Sequence, residues 1–260
     1  MIPQADIIAW SANAPWPTVE NVEQDLILSR LMVEIAQHPL LGNELVMRGG
    51  TCFHKLWLPT PLRYSEDLDY VRRSDGPVGP ILTALREIGE HIGFERTTTE
   101  IGRHPKARFR TTANSGRPLN VKVELDTFER SPARPTTVRA LRVESAWFNG
   151  AADVATFAIE ELVATKIRAL FQRTKGRDLF DLWLAVTSVG VKPSDIAECF
   201  EPYRPAGWST NLARMNLEAK LRDERFVDDV RGLVQDWPDD YELRAGAAVF
   251  GAIIGTLDST

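Results

Sequence analysis

A short apolar strand that ends in two glycines, followed by two aspartates on a second strand, most tightly constrains how this chain can fold. The segment ELVMRGG (44–50) predicts the first strand, and LDYV (68–71) predicts the second. Asp67 and Asp69 are two residues apart, so on a strand both carboxylates project from the same face. The spacing predicts a site for a metal-bound nucleotide.

The glycine turn and the aspartate pair each have a functional and a plain interpretation. Gly49, Gly50 and Thr51 form a turn whose backbone N–H groups can approach phosphate oxygens, because glycine has no Cβ. A tight strand-to-helix turn would need the same glycines. Two ionised carboxylates side by side repel each other unless a cation lies between them, and Mg²⁺ with its preference for hard oxygen ligands fits best. A solvated acidic strand end is the alternative for the pair.

A third acid is expected on a neighbouring strand, and VKVELDTFER (121–130) offers two. Lys122, Glu124 and Asp126 share one face because strand side chains alternate. Glu124 is favoured as the third metal ligand because it lies centrally in the apolar frame. Asp126 remains its rival, since alternation cannot choose between them, and a half-exposed strand without any metal has the same pattern.

Periodicity predicts an α+β fold followed by a helical region. The first part alternates helices with short strands, in the predicted order helix 19–37, the two strands above, helix 78–94, then strands in ARFRTT and LNVKVELDTF. From about residue 153 the pattern is helical, and no further strand is expected. The Asn149-Gly150 pair predicts a turn between the two regimes. The sequence therefore predicts two domains, 1–150 and 151–260.

Charge and composition exclude several classes of protein. The net charge of −5 argues against a protein that coats nucleic acid, although it allows a local basic groove. Lys106, Arg108 and Arg110 share one face of a predicted strand and could follow an RNA backbone. A charged edge strand that resists aggregation is the alternative.

Cysteine usage and hydropathy predict a cytoplasmic protein without a membrane segment. Cys52 and Cys199 have neither zinc-ligand nor disulfide-framework spacing, which is typical of a reducing compartment. The N-terminus lacks the pattern of a secretion signal. The longest apolar tract, residues 245–257, has 13 residues, fewer than the roughly 18 to 20 needed to cross a bilayer.

Lys166 lies on an apolar helix stripe with Val163, Ile167 and Leu170. Its ammonium must therefore reach out of that face or meet an anion. Asp178 and Asp181, spaced i and i+3, share a face of the next helix. The alternatives are a lysine at the edge of the core, which is the commoner explanation for such a position, and an ordinary helix-start pair of Arg177 and Asp178.

These motifs together resemble a known family. The order Gly-Gly-Thr, Asp-x-Asp and a further acid is similar to the minimal nucleotidyltransferases of the DNA polymerase β superfamily. More narrowly, RGGTCF…RYSEDLDYV, VKVEL and ATKIRALFQRTKGRDLFDLWLA resemble the AbiEii-type nucleotidyltransferase toxins. The similarity covers about residues 20–190. It implies a polymerase β-like catalytic domain with a mixed sheet, followed by a helical domain that completes the active site.

The resemblance also implies a reaction, partners and residue roles. The expected activity is Mg²⁺-dependent transfer of nucleotides from an NTP to the 3′ end of tRNA, by a toxin with a cognate antitoxin. Lys166 is expected to hold nucleotide phosphates with the Gly-Gly-Thr turn and Ser65. Asp181 is assigned to the active site, Arg63 to orienting the acidic loop, and Asp178 to a structural role. The alternatives are transfer to a small molecule or a protein hydroxyl, or a catalytically idle, nucleotide-gated binding protein.

Overall fold

The computed structural model describes residues 2–257, which divide into two compact units. The first contains everything described up to residue 131 together with 136–157. The second contains 132–135 and everything described from 158 onward. The chain therefore enters the second unit briefly, returns to the first, and then crosses over again.

The strands of the described residues form one mixed sheet in the first unit. They are β1 (Leu45–Arg48), β2 (Asp67–Arg72), β3 (Arg96–Glu100), β4 (Lys106–Thr112), β5 (Pro118–Asp126), β6 (Thr137–Glu144) and β7 (Asn149–Thr156). Their order in the sheet is β3-β4-β5-β2-β1-β7-β6. The β2/β5 and β1/β7 pairs are parallel, and the other neighbours are antiparallel. The predicted α+β class with a mixed sheet is confirmed.

The helices of the first unit include two whose ends are marked by capping residues. They are α1 (Gln4–Trp10), α2 (Val19–Gln37), α3 (Leu41–Glu44), α4 (Gly49–Cys52), a π-helical turn (Phe53–Trp57) and α5 (Gly79–Ile92). Helix α2 has the predicted bounds, and the Thr18 hydroxyl accepts a hydrogen bond from the Asn21 N–H at 3.1 Å at its start. Helix α5 ends at Ile92 and is capped by Gly93, whose φ of 92° favours glycine.

The buried carboxylate of Asp25 in α2 binds side chains of α1 and of the π-helical turn. Asp25 is almost fully buried, and it accepts hydrogen bonds at 2.9 Å from the indole N–H groups of Trp10 and Trp16. Lys55 Nζ lies 2.8 Å from Asp25 Oδ1. Helix α2 also contacts β5 and β7, so this arrangement holds the turn region close to the sheet that carries the acids.

The second unit is helical throughout its described residues. It comprises α6 (Ile159–Gln172), α7 (Gly176–Thr187), α8 (Pro193–Glu198), a 3₁₀ turn (Glu201–Tyr203), α9 (Thr210–Lys220), α10 (Glu224–Arg231) and α11 (Leu243–Leu257). Helix α11, the apolar tract of the sequence, contacts α7, α8 and α9 and buries Phe250, Ile253 and Ile254. Within residues 2–257, no helix combines the length and apolar character needed to cross a membrane.

Three strands were missed or truncated by sequence periodicity. The predicted turn at Asn149-Gly150 is wrong, because both residues begin β7, and that strand continues to Thr156. Strand β6 leaves most of its residues at least partly exposed, and β3 reads RTTTE with no apolar residue. All three therefore lack the apolar alternation that identifies a strand.

Candidate active site

The predicted acids lie in register on adjacent strands. In the parallel β2/β5 pair, Asp67 lies opposite Lys122, and Asp69 lies opposite Glu124. Directly opposite residues of neighbouring strands project from the same face, so the three acids share one face of the sheet. All four side chains are partly exposed, whereas Leu68 and Val123 on the opposite face are fully buried.

Lys122 lies between two of these acids. Its Nζ is 3.1 Å from Asp67 Oδ2 and 3.2 Å from Glu124 Oε2. Burial alone would lower the pKa of Lys122, but the charges of Asp67 and Glu124 outweigh it and raise the pKa. The ammonium therefore stays charged and neutralises part of the acidic face.

The carboxyl group of Asp69 has a raised pKa. Burial is the main reason that the pKa of Asp69 is raised, and the neighbouring charge of Asp67 raises it further. The guanidinium of Arg48, which lies opposite Asp69 in the β1/β2 pair, opposes the rise. An additional cation beside Asp69 would favour its ionised form.

The contacts of Asp126 favour Glu124 over it as the third ligand. Asp126 Oδ1 accepts hydrogen bonds from the backbone N–H groups of Phe128 at 2.7 Å and Glu129 at 3.0 Å, and Oδ2 lies 2.8 Å from an Arg48 nitrogen. Burial would raise the pKa of Asp126, but these three donors outweigh it and lower the pKa. Both oxygens are thus already occupied by the protein.

The donor set of this face suits a hard divalent cation, although its side chains are not gathered around one. Among residues 2–257, no three His, Cys, Asp or Glu side chains form a cluster that could hold a metal ion. Asp67 and Glu124 are instead directed at the ammonium of Lys122. Three carboxylates on one face that already attract a positive charge are the ligand type that Mg²⁺ uses.

The glycine turn brings the backbone close to the acids. Gly49 has a φ of 85°, and a Cβ there would lie 2.3 Å from Asp69 Oδ2. A Cβ on Gly50 would lie 2.5 Å from a terminal nitrogen of Arg63 and 3.2 Å from Ser65 Oγ. Gly49 therefore requires glycine for its backbone conformation and for close approach, whereas a side chain at Gly50 would displace the end of Arg63.

Hydrogen bonds tie this turn to the start of β2. The buried Thr51 hydroxyl donates to the Asp67 carbonyl oxygen at 2.6 Å, and Thr51 Oγ1 lies 2.9 Å from Ser65 Oγ. Arg63 is almost fully buried, and its guanidinium donates to the Tyr64 carbonyl oxygen at 3.0 Å. These contacts support the prediction that Arg63 orients the acidic loop. Phosphate contacts by Thr51 and Ser65 stay predictions.

The predicted basic row lies on the strand next to the acids. In the β4/β5 pair, Lys106 lies opposite Glu124 and Arg108 opposite Lys122, so the row shares the face of the acids. Glu100 of β3 pairs with both, at 3.4 Å from Lys106 Nζ and 3.1 Å from an Arg108 nitrogen. Arg110, the third member, is exposed. The three basic side chains thus form a row along β4, but the carboxylate of Glu100 offsets part of its charge.

In the second unit, Lys166 meets protein carboxylates. Lys166 Nζ lies 2.8 Å from Asp181 Oδ2 and 3.4 Å from Asp178 Oδ1, and all three side chains are at most 7% exposed. Arg173 donates to both oxygens of Asp178, at 2.7 and 2.8 Å. Burial would raise the pKa of Asp178, but Lys166 and Arg173 lower it. The assigned roles of Lys166 in phosphate binding and of Asp181 in the active site stay predictions.

Sequence reasoning missed two cations of the acidic face. Lys122 lies on the face that alternation predicts, and Arg48 directly precedes the glycines in the sequence. Their signal was a basic residue two positions before Glu124 and another at the end of β1. Their partners depend on strand register, which the sequence does not reveal.

Comparison with known proteins decides the family. Residues 30–245 match the family model described as the nucleotidyl transferase AbiEii toxin of type IV toxin–antitoxin systems. The chain belongs to this family. Membership of the AbiEii family identifies the protein as a nucleotidyltransferase toxin and implies an NTP substrate and a cognate antitoxin. No protein with a curated description is similar enough in sequence to match.

Solved structures share the AbiEii fold at low sequence identity. MenT4, a nucleotidyltransferase toxin from Mycobacterium tuberculosis H37Rv, matches with a TM-score of 0.60 and 20% identity, covering 100% of this chain and 91% of MenT4. JHP933 from Helicobacter pylori matches with a TM-score of 0.54 and 17% identity, covering 93% of each chain. At these identities the likeness extends to the fold alone.

Proposed function

We propose that this AbiEii-family enzyme uses Mg²⁺ to transfer nucleotides from an NTP to the 3′ end of tRNA, and that the modified tRNA can no longer support translation. The observation that carries the proposal is the register of β2 and β5, which aligns Asp67, Asp69 and Glu124 on one face. The Gly49 turn lies against the same acids. Because tRNA is the acceptor, the reaction belongs in the cytoplasm.

In the proposed reaction, the 3′ hydroxyl of the acceptor releases its proton to solvent, and its oxygen forms a bond to the α-phosphorus of the NTP while the bond to pyrophosphate breaks. Asp67, Asp69 and Glu124 would hold Mg²⁺, which when bound lowers the pKa of the acceptor hydroxyl and neutralises the leaving pyrophosphate. Positioning and charge neutralisation supply most of the catalysis in such transfers.

The chain's own residues would position the nucleotide. Gly49 and Gly50 leave room for phosphate oxygens beside β2, and Ser65 presents a hydroxyl at the edge of this space. Arg63 lies buried beneath Gly50 and keeps the loop that precedes Asp67 in place. By resemblance, Lys166 contacts the triphosphate. Asp181 Oδ2 lies 2.8 Å from the Lys166 ammonium and holds the lysine side chain in place.

The acceptor assignment rests on the resemblance and on the basic row of β4. A chain of net charge −5 binds RNA only where its cations are gathered. Lys106, Arg108 and Arg110 provide such a row on the strand beside Glu124. RNA bound along this row would release counterions, so its affinity would fall steeply with salt.

The acceptor is identified by incubating the protein with each α-labelled NTP, Mg²⁺ and total tRNA. Label in full-length tRNA that is removed by trimming the 3′ end supports the proposal. Label in a small molecule or in protein would instead favour the alternative transferase. Nucleotide that is bound but never transferred would favour the idle binding protein.

Two variants test the basic row. Replacing Lys106, Arg108 and Arg110 together with glutamine should weaken tRNA binding and flatten its salt dependence, while NTP binding stays nearly unchanged. Glu100→Gln is the matched opposite, because it removes the carboxylate that pairs with Lys106 and Arg108. It should strengthen tRNA binding. Equal salt curves for all three proteins would place the RNA elsewhere.

A further inference from the structure

Lys122 lies between two of the acids assigned to the metal. Its ammonium contacts Asp67 Oδ2 at 3.1 Å and Glu124 Oε2 at 3.2 Å, so it bridges two of the three acids assigned to the metal. An ammonium is a compact cation with three donors, and carboxylate oxygens are its usual partners. Lys122 therefore satisfies the same oxygens that a divalent ion would need.

The bridge is open enough to be exchanged. The side chain of Lys122 is 30% exposed, and those of Asp67 and Glu124 are 37% and 34% exposed. Water competes for ion pairs at such positions, so each contact contributes little to stability. The four-carbon stem of lysine is flexible, and the ammonium can therefore move into solvent without disturbing β5.

We propose that Lys122 is a built-in competitor of the metal ion, which holds Asp67 and Glu124 together until a divalent cation displaces it. The inference rests on the proposed function, because it presumes that these acids bind the metal. Displacement frees one oxygen of Asp67 and one of Glu124 for the ion, and it moves one positive charge out of the site. Lys122 thereby sets the metal affinity of the site.

Metal binding in the absence of nucleotide tests the inference without any activity measurement. Mn²⁺ is titrated into the full chain, and the free ion is followed by its paramagnetic resonance signal. Lys122→Met removes the ammonium but keeps an unbranched stem, and it should tighten Mn²⁺ binding about three- to tenfold, as for the loss of two solvent-exposed ion pairs. The rise in melting temperature on adding Mn²⁺ should also be larger in this variant.

Three controls separate local competition from other effects. Lys122→Arg keeps the charge and should stay near the wild-type affinity. Lys175→Met removes the same charge from an ion pair with Asp229, at 3.1 Å, and should also stay near wild type. Asp69→Asn should abolish detectable binding, because it removes the negative charge of one ligand.

The outcomes distinguish this inference from the proposed function. If wild type binds Mn²⁺, Asp69→Asn does not, and Lys122→Met equals wild type, the competitor role of Lys122 is overturned while the metal site stands. Equal tightening in Lys175→Met would overturn it as well, since net charge alone would explain the effect. If neither wild type nor Lys122→Met binds Mn²⁺, both the inference and the metal assignment are wrong.

Discussion

Two lysines of this molecule each bridge a pair of carboxylates, one in the open and one in the interior. Lys122 lies between Asp67 and Glu124 with roughly a third of each side chain exposed. Lys166 lies between Asp178 and Asp181 with the carboxylates almost wholly buried. Water screens the first group and is excluded from the second, so the same pairing is exchangeable in one place and fixed in the other.

The buried group is also more completely bonded. Arg173 donates to both oxygens of Asp178, in addition to the contact with Lys166. A buried charge that loses its partner keeps the full cost of desolvation. We therefore expect substitutions in the buried group to act mainly on the free energy of unfolding, and substitutions in the open group to act mainly on metal binding and nucleotide transfer.

The largest effect is expected for Asp178→Ala. Lys166 would lose one of its carboxylates and Arg173 both of these contacts, so the free energy of unfolding should fall by about 3–5 kcal/mol. Urea unfolding followed by circular dichroism measures it. Asp67→Ala is the matched change in the open group and should cost no more than about 1 kcal/mol. Similar losses in the two variants would remove the distinction between the groups.

Lys166→Met should have the next largest effect on stability. Arg173 continues to neutralise Asp178, but the buried Asp181 loses the ammonium, so the loss should be about 2–3 kcal/mol, in the range for a buried charged hydrogen bond. The sequence alone would have predicted almost no loss, because a methionine preserves the apolar stem. Lys122→Met, measured in the same way without metal, should change the free energy of unfolding by less than about 1 kcal/mol. A stable Lys166→Met variant would show that the buried bridge is dispensable.

The pH dependence of stability should follow the buried group. The pKa of Asp178 is lowered in the folded protein, so its contribution is complete above the unfolded pKa of about 3.9 and is lost as the pH falls through the folded value. The difference in unfolding free energy between wild type and Asp178→Asn should therefore be constant from pH 7 to about 5 and shrink below about pH 4. A difference that grew on acidification would contradict the assigned direction.

For Gly50→Ala we expect a larger effect on nucleotide binding than on stability. Its backbone is not in the left-handed region, but the new Cβ would meet the terminal nitrogen of Arg63 at 2.5 Å, and a flexible side chain can yield. We expect a loss of about 1 kcal/mol, as for a mildly overpacked site. Because Arg63 must shift, NTP affinity should fall more than stability does. Unchanged NTP affinity would contradict the role of this turn in positioning the nucleotide.

The sequence predicted those elements whose side chains follow a clear period. Helix α2 and strands β2 and β5 combine regular apolar spacing with local start or stop signals, and they lie where expected. Strands β3 and β6 are polar or exposed, and β7 mixes small residues with a glycine, so their pairing comes from the neighbouring strands and not from their own pattern.

The sequence predicted which residues of the candidate site share a face, but not the contacts that depend on strand register and helix packing. Alternation placed Lys122 and Glu124 on one face, but only the parallel register with β2 brings Asp67 to Lys122. The spacing of Lys166 and Asp181 gave no sign of their ion pair, because it depends on how α6 packs against α7. The choice between Glu124 and Asp126 as the third metal ligand likewise depends on Arg48, which is far from Asp126 in the sequence but contacts it in the fold.

The most direct test of the central claim, that the acids of β2 and β5 form the transfer site, is the rate of nucleotide transfer to tRNA by Asp69→Asn. The variant loses one ligand charge and is relieved of repulsion from Asp67, so it should keep the wild-type melting temperature within a few degrees. Its transfer rate in Mg²⁺ should fall by about a hundredfold or more, as when one preorganised catalytic group is lost. Transfer at the wild-type rate by this folded variant would contradict the claim.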